Sequence, residues 1–290
     1  MTQGSMNYST MTEVTLEYLL AFVEEDAPYG DITTEAIIPP DTCCIAVIIA
    51  KEEGIICGLA EAGRLFTHFG VDVTRTCRDG APINKGEVIL SLQGNASRIL
   101  LLERTTLNII GRMSGIATKT KSYMDLIRSH GMNCRVAATR KTSPGMRVLD
   151  KKAVMLGGGD PHRYSLSDGV LIKDNHLALV PLPDAIASAK ARSLYRKIEV
   201  EVEDPDLAVT AAEAGADIIL LDNMTLEMVV GTISKLNSRN LLSGRVIEVS
   251  GTINEDTILN YIVPGVDVIS IGALTHSVRN FDVSLEIKKS

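Results

Sequence analysis

The residues best equipped for chemistry in this 290-residue chain recur at one kind of place, the C-terminal ends of short apolar runs. Arg140-Lys141 follow Cys134 to Ala138, Lys173-Asp174-Asn175-His176 follow Val170 to Ile172, and Glu201 lies within Ile198 to Val202. Asp222-Asn223 follow Ile218 to Leu221, Ser250-Gly251 close Val246 to Ser250, and Gly272 follows Val268 to Ile271. A guanidinium fork makes bidentate contacts with carboxylate or phosphate. Two carboxylates at the ends of adjacent strands can hold a hard cation, which takes oxygen ligands while keeping water and substrate oxygens. Glycine lets the backbone approach a ligand closely. The formal charge of the whole chain is −7, so bulk electrostatics attracts neither nucleic acid nor an anionic membrane, and any bound anion must meet a local cationic pocket.

The elements that carry these residues alternate. From about Asn133 onward the six apolar runs read as strands, with helical segments near Met146 to Leu156, Asp184 to Ala191, Pro205 to Ala214, Leu226 to Leu236 and Glu255 to Tyr261. Such alternation implies a parallel sheet. Periodicity alone leaves a closed barrel and an open doubly wound sheet both available. The polar strand ends favour the barrel, in which they converge on one mouth; six strands rather than eight make it incomplete.

The first part of the chain has another texture. Leu16, Leu19, Leu20 and Val23 form an amphipathic helical stripe, Cys43 to Ala50 reads as a strand, and Leu59 to Phe69 returns to helical spacing. Val71 to Arg78 and Val88 to Gln93 read as further strands, giving an α+β module. The five cysteines form no C-x-x-C pair, which fits neither a disulfide framework nor a zinc site. Reduced cytosol is the expected setting. Met1 to Met11 lacks the order of a signal peptide, and no apolar run reaches the ~18 residues of a spanning helix.

A series of motifs resembles one family, quinolinate phosphoribosyltransferase, also called nicotinate-nucleotide pyrophosphorylase (carboxylating). They include Gly30-Asp31-Ile32-Thr33-Thr34, Glu103-Arg104-Thr105-Thr106, Thr139-Arg140-Lys141-Thr142, His162-Arg163, Lys173-Asp174-Asn175-His176, Glu199-Val200-Glu201-Val202, Leu221-Asp222-Asn223, Glu248-Val249-Ser250-Gly251 and Gly272-Ala273-Leu274-Thr275-His276-Ser277. The resemblance runs in order from Gly30 to about Ile287. It implies an α/β protein with an N-terminal α/β sandwich domain over 1–115, joined by 276–290, and an incomplete α/β barrel over 116–275. It also implies a homodimer or higher homo-oligomer with shared active sites. The implied reaction joins quinolinate to phosphoribosyl pyrophosphate with Mg²⁺, giving nicotinate mononucleotide, pyrophosphate and CO₂ in cytoplasmic NAD biosynthesis, with no nucleic-acid or membrane partner.

The resemblance also implies roles. Arg140, His162 and Arg163 hold the quinolinate carboxylates, Thr139 belongs to the same substrate-binding stretch, and Lys141 and Lys173 stand near the reacting centre and pyrophosphate. Arg104 enters from the neighbouring subunit. Glu201 and Asp222 hold Mg²⁺ and the ribose hydroxyls. Ser250-Gly251 and Gly272-Ala273, with His276, cradle the 5'-phosphate. Alternation along the strand places Glu199 and Glu203 on the side of Glu201, where they are expected only to balance nearby lysines. The family commonly has Asn where this chain has Pro161, and proline fixes φ and removes a donor.

Overall fold

The computed structural model describes residues 14–288, which divide into two compact units. The first comprises residues up to 121 together with 143–158 and the segment from 278. The second comprises 122–142 and 159–277.

The first unit contains α1 (Leu16–Asp26), α2 (Ile32–Ile37), β1 (Cys43–Ala50), β2 (Gly54–Ile55), α3 (Leu59–His68), β3 (Asp72–Arg75), β4 (Pro82–Ile83) and β5 (Val88–Asn95). Most of the long α4 (Ala96–Ser129) belongs to it, as do α5 (Arg147–Leu156) and, from the chain's end, β12 (Val283–Lys288). Its sheet has the order β12-β1-β5-β3, with β1 antiparallel to both neighbours. Leu59, Ala62, Leu65 and Phe66 bury one face of α3, the i, i+3, i+4 stripe of an amphipathic helix. Gly58 stands at the N-cap with φ +90 and has no side chain to cap with. The Asp79 carboxylate takes over, accepting from the Leu59 and Ala60 amides at 2.8 and 3.0 Å.

The helix α4 runs across residue 115, and by contacts α5 groups with the first unit. Two ion pairs tie α5 to that unit, beside its buried Leu149, Ala153 and Val154. Asp150 on α5 is fully buried and receives a bidentate fork from Arg112 on α4, at 2.7 and 2.8 Å. Lys152 reaches the buried Glu61 on α3 at 2.6 Å.

The second unit holds β6 (Arg135–Ala137), β7 (Val170–Ile172), β8 (Ile198–Val202), β9 (Ile218–Asp222), β10 (Val246–Ser250) and β11 (Val268–Ser270). All pair in parallel, in the order β6-β11-β10-β9-β8-β7. The last strand therefore lies beside the first, and the open edge falls between β6 and β7, where Asp160 forms a single parallel bridge with Ala137. This is the incomplete α/β barrel. Between the strands lie α6 (Asp174–Leu177), α7 (Leu182–Arg192), α8 (Pro205–Ala214) and α9 (Leu226–Ser238), with α10 (Ala273–His276) after β11. α8 shows why its sequence is helical: Asp204 caps the Asp206 and Leu207 amides, Pro205 opens the first turn, and Gly215 ends it at φ +90. The helix expected over Glu255 to Tyr261 is reduced to a 3₁₀ turn, Ile258–Tyr261. Val200, Ile219, Ile247, Val249 and Ile269 are fully buried in the strands.

Candidate active site

At the C-terminal ends of these strands a cavity of about 370 Å³ collects Thr139, Arg140, Lys141, His162, Arg163, Lys173, Glu201, Asp222 and Ser250. Nine of the residues singled out by sequence thus meet in one place. Strand register explains the acidic pair: Glu201 faces Leu220 across β8 and β9, and Asp222 lies two residues further along β9 on the same face. Asp222 in turn sits opposite Ser250 on β10. Lys173 directly follows β7 and hydrogen-bonds through Nζ to Glu201 Oε2, while its backbone N–H donates to His176 Nδ1 at 2.9 Å. The Lys141 backbone is fixed by Thr139, whose hydroxyl accepts the Lys141 N–H at 3.0 Å, and by the Thr275 hydroxyl, which donates to the Lys141 carbonyl at 2.8 Å.

Arg140 and Arg163 form the basic wall of this cavity. Nε of Arg140 and Nε of Arg163 are both buried with no hydrogen-bond partner. Burial, and then the charge of Arg140, push the Arg163 guanidinium below its ordinary value. Two mutually repelling guanidinium groups on the wall of one cavity are the electrostatic counterpart of an anion with more than one acceptor group.

Gly251 and Gly272 do not line the cavity but flank it. Gly251 has φ +137, and a Cβ there would lie 2.8 Å from Asn223 Oδ1 and 3.2 Å from its Cα, so only glycine fits. A Cβ on Gly272 would come within 3.1 Å of Lys141 Cδ and 3.2 Å of the His276 ring. Ala273 opens the single turn of α10, and exposed His276 bonds Ser277 through Nδ1 at 2.7 Å. Arg104 is exposed on α4 in the first unit.

Two residues were underrated in the sequence. Glu199 does not merely balance lysines: it is 4% exposed inside the barrel, with Oε2 3.5 Å from His162 Nε2, while Glu203 is exposed. Glu248 on β10, 2% exposed, brings Oε2 within 3.4 Å of the same nitrogen. Burial opposes charge on the His162 ring, but hydrogen bonds to Glu199 and then Glu248 outweigh it and raise its pKa to about 9. Burial raises Glu199 as well. Meanwhile the Arg163 backbone N–H donates to His162 Nδ1 at 2.8 Å, which requires a lone pair there. The neutral ring keeps that contact with its proton on Nε2, and the protonated ring favoured by the two carboxylates gives it up.

Comparison with known proteins decides the lineage. Residues 31–114 match the quinolinate phosphoribosyl transferase N-terminal domain and residues 116–286 its C-terminal domain. The chain belongs to the quinolinate phosphoribosyltransferase family. The probable nicotinate-nucleotide pyrophosphorylase (carboxylating) of Methanothermobacter thermautotrophicus is 44% identical over 275 residues, covering 94% of this chain and 99% of that protein. The Bacillus subtilis protein of the same description is 38% identical, covering 97% and 96%. The solved nicotinate-nucleotide pyrophosphorylase of Francisella tularensis superposes with a TM-score of 0.87 at 33% identity, covering 96% of this chain and 99% of that one. The likeness to quinolinate phosphoribosyltransferases spans both units. Among the described residues, no helix is long and apolar enough to cross a membrane.

Proposed function

We propose that this chain transfers the phosphoribosyl group of phosphoribosyl pyrophosphate to quinolinate and decarboxylates the product, giving nicotinate mononucleotide, pyrophosphate and CO₂ for NAD synthesis. The observation that carries this reading is the convergence of Arg140 and Arg163 with Glu201 and Asp222 on one small cavity. Quinolinate is a rigid dicarboxylate, and its two charges answer those two forks. The same cavity offers carboxylates, Glu201 and Asp222, on its opposite character.

The chemistry follows from this placement. With the dicarboxylate fixed by the arginines, the pyridine nitrogen attacks C1 of the ribose and the C1–O bond to pyrophosphate breaks. Positive charge builds on the sugar, and Glu201 and Asp222 stabilise it electrostatically. Lys141 and Lys173 face the negative charge of the departing pyrophosphate. The ring nitrogen, now bearing ribose, is cationic. That charge stabilises the electron pair left on the ring carbon when the 2-carboxylate departs as CO₂, and the carbon then takes up one proton.

Glu201 and Asp222 also fit Mg²⁺, since they are hard oxygen donors lining one cavity. When bound, the ion would offset charge on the pyrophosphate. Ser250, Gly251, Gly272, Ala273 and His276 serve the 5'-phosphate, and Arg104 completes the site of a second copy in a dimer or larger assembly. A cytoplasmic setting accords with a reaction on soluble metabolites. The test is direct: purified protein with Mg²⁺ should consume quinolinate and phosphoribosyl pyrophosphate together with release of CO₂, and no consumption of either would overturn the reading.

A further inference from the structure

Asn223 opens the short connection from β9 to α9, directly after Asp222. Its backbone is left-handed, φ +52, a conformation uncommon outside glycine that asparagine tolerates better than most residues. From there it makes three contacts. Its N–H donates to the Ser250 carbonyl at the end of β10, at 3.0 Å. Its side-chain Nδ2 donates to Asp222 Oδ2 at 2.7 Å. The other edge of the amide lies against Gly251, close enough that a Cβ there would stand 2.8 Å from Asn223 Oδ1. Asp222 and Ser250 face each other across β9 and β10 and both line the 370 Å³ cavity, which Asn223 does not.

An ionised carboxylate accepts and never donates, so only a donor can orient Asp222. With Oδ2 held by the amide, rotation of the carboxylate is restrained and its second oxygen keeps one direction. The amide is neutral. Glu201 by contrast takes its hydrogen bond from the Lys173 cation, which offsets its charge, whereas Asn223 orients Asp222 and adds no positive charge beside it. Glycine would accept the same backbone but supply no donor, and aspartate would set a second acceptor against Asp222. Asparagine meets both demands. Resting on the reading of Asp222 as a ribose group and of Ser250-Gly251 as part of the 5'-phosphate cradle, we propose that Asn223 is a positioning residue that locks these two together, fixing their separation to the span of a ribose 5-phosphate. It acts through Asp222 and the Ser250-Gly251 backbone and touches no reacting atom.

Calorimetry in metal-free buffer, with quinolinate and nicotinate mononucleotide as separate probes, tests this. Asn223→Gly keeps the backbone available and removes the amide; it should weaken nicotinate mononucleotide binding by about 10-fold, the scale of one hydrogen bond to a charged acceptor. Asn223→Asp keeps the shape and should weaken it at least as much. Quinolinate affinity and Tm should stay near those of the parent in both variants, and KM for phosphoribosyl pyrophosphate should rise while KM for quinolinate holds. In an Asp222→Ala background the Asn223→Gly loss should shrink to under about twofold, because the group through which it acts is gone. Unchanged nucleotide affinity in both variants, an equal loss for both probes, or a loss undiminished without Asp222 would each overturn the positioning role while leaving the reading of the cavity intact. A parent protein that binds neither probe would overturn that reading and the proposal with it.

Discussion

Arg140 and Arg163 both line the barrel mouth, close enough that the charge of Arg140 lowers the Arg163 pKa. Two like charges at one cavity repel each other, and an anion bound between them offsets that repulsion. Replacing either arginine by lysine keeps the charge but removes the fork. Each replacement is expected to weaken quinolinate binding by about 1.5–3 kcal/mol, the range for hydrogen bonds to charged groups. Isothermal titration with quinolinate measures this; unchanged affinity in both variants would remove the arginines from the site.

The acidic side of the cavity should behave differently. Glu201→Gln and Asp222→Asn keep shape and hydrogen-bonding capacity while removing charge. Each should depress Mg²⁺-dependent turnover far more than quinolinate affinity. Glu201→Gln also dissolves the ion pair with Lys173, so Lys173→Ala should be less than additive with it. Mg²⁺ titrations of the rate read the effect, and a metal requirement identical to that of the parent would contradict the assignment.

Arg104 is exposed on α4, and the function proposed above has it complete the site of a second copy. Mixing an Arg104→Ala chain with a Lys173→Ala chain should then restore part of the activity, because one site of each mixed dimer carries both native groups. No recovery after confirmed subunit exchange would place Arg104 in its own chain's function or in its scaffold.

The first unit depends on the Asp150 carboxylate, fully buried against Arg112. Removing one partner of such a pair costs about 3–5 kcal/mol, since the other is left in a site it cannot leave cheaply. Asp150→Ala should therefore lower the unfolding free energy, read as denaturant midpoint times an unchanged slope, by an amount of that order, whereas a change under about 1 kcal/mol would show the pair to be worth no more than a surface bridge.

Much of this was legible before any coordinates, and the limits have physical causes. Strands β6 to β11 were visible because short β-branched runs ended each time in polar residues, a pattern that places those ends together in a parallel barrel. Glu201 and Asp222 were visible for the same reason. Glu199 and Glu248 were not, because alternation gives the face of a side chain but not what waits across the barrel. The partner that explains them, His162, arrives from a loop whose left-handed backbone no periodicity encodes. The placement of α5 was also hidden: its amphipathic stripe says that one face is buried, but the partners of that helix, among them Arg112 for Asp150 and Glu61 for Lys152, lie far away in sequence. α6, one turn long, offers no period to detect.

The central claim is that ribosylation precedes and enables loss of the 2-carboxylate, in a cavity built for a dicarboxylate. Nicotinate, which lacks that carboxylate, leaves buried donors unmet and should be turned over slower by roughly 10⁴-fold, as for other sites that lose a required polar partner. The most direct measurement uses quinolinate labelled in its 2-carboxylate. With enzyme and Mg²⁺, labelled CO₂ should appear only when phosphoribosyl pyrophosphate is present and in step with nicotinate mononucleotide; labelled CO₂ from quinolinate alone would contradict the account.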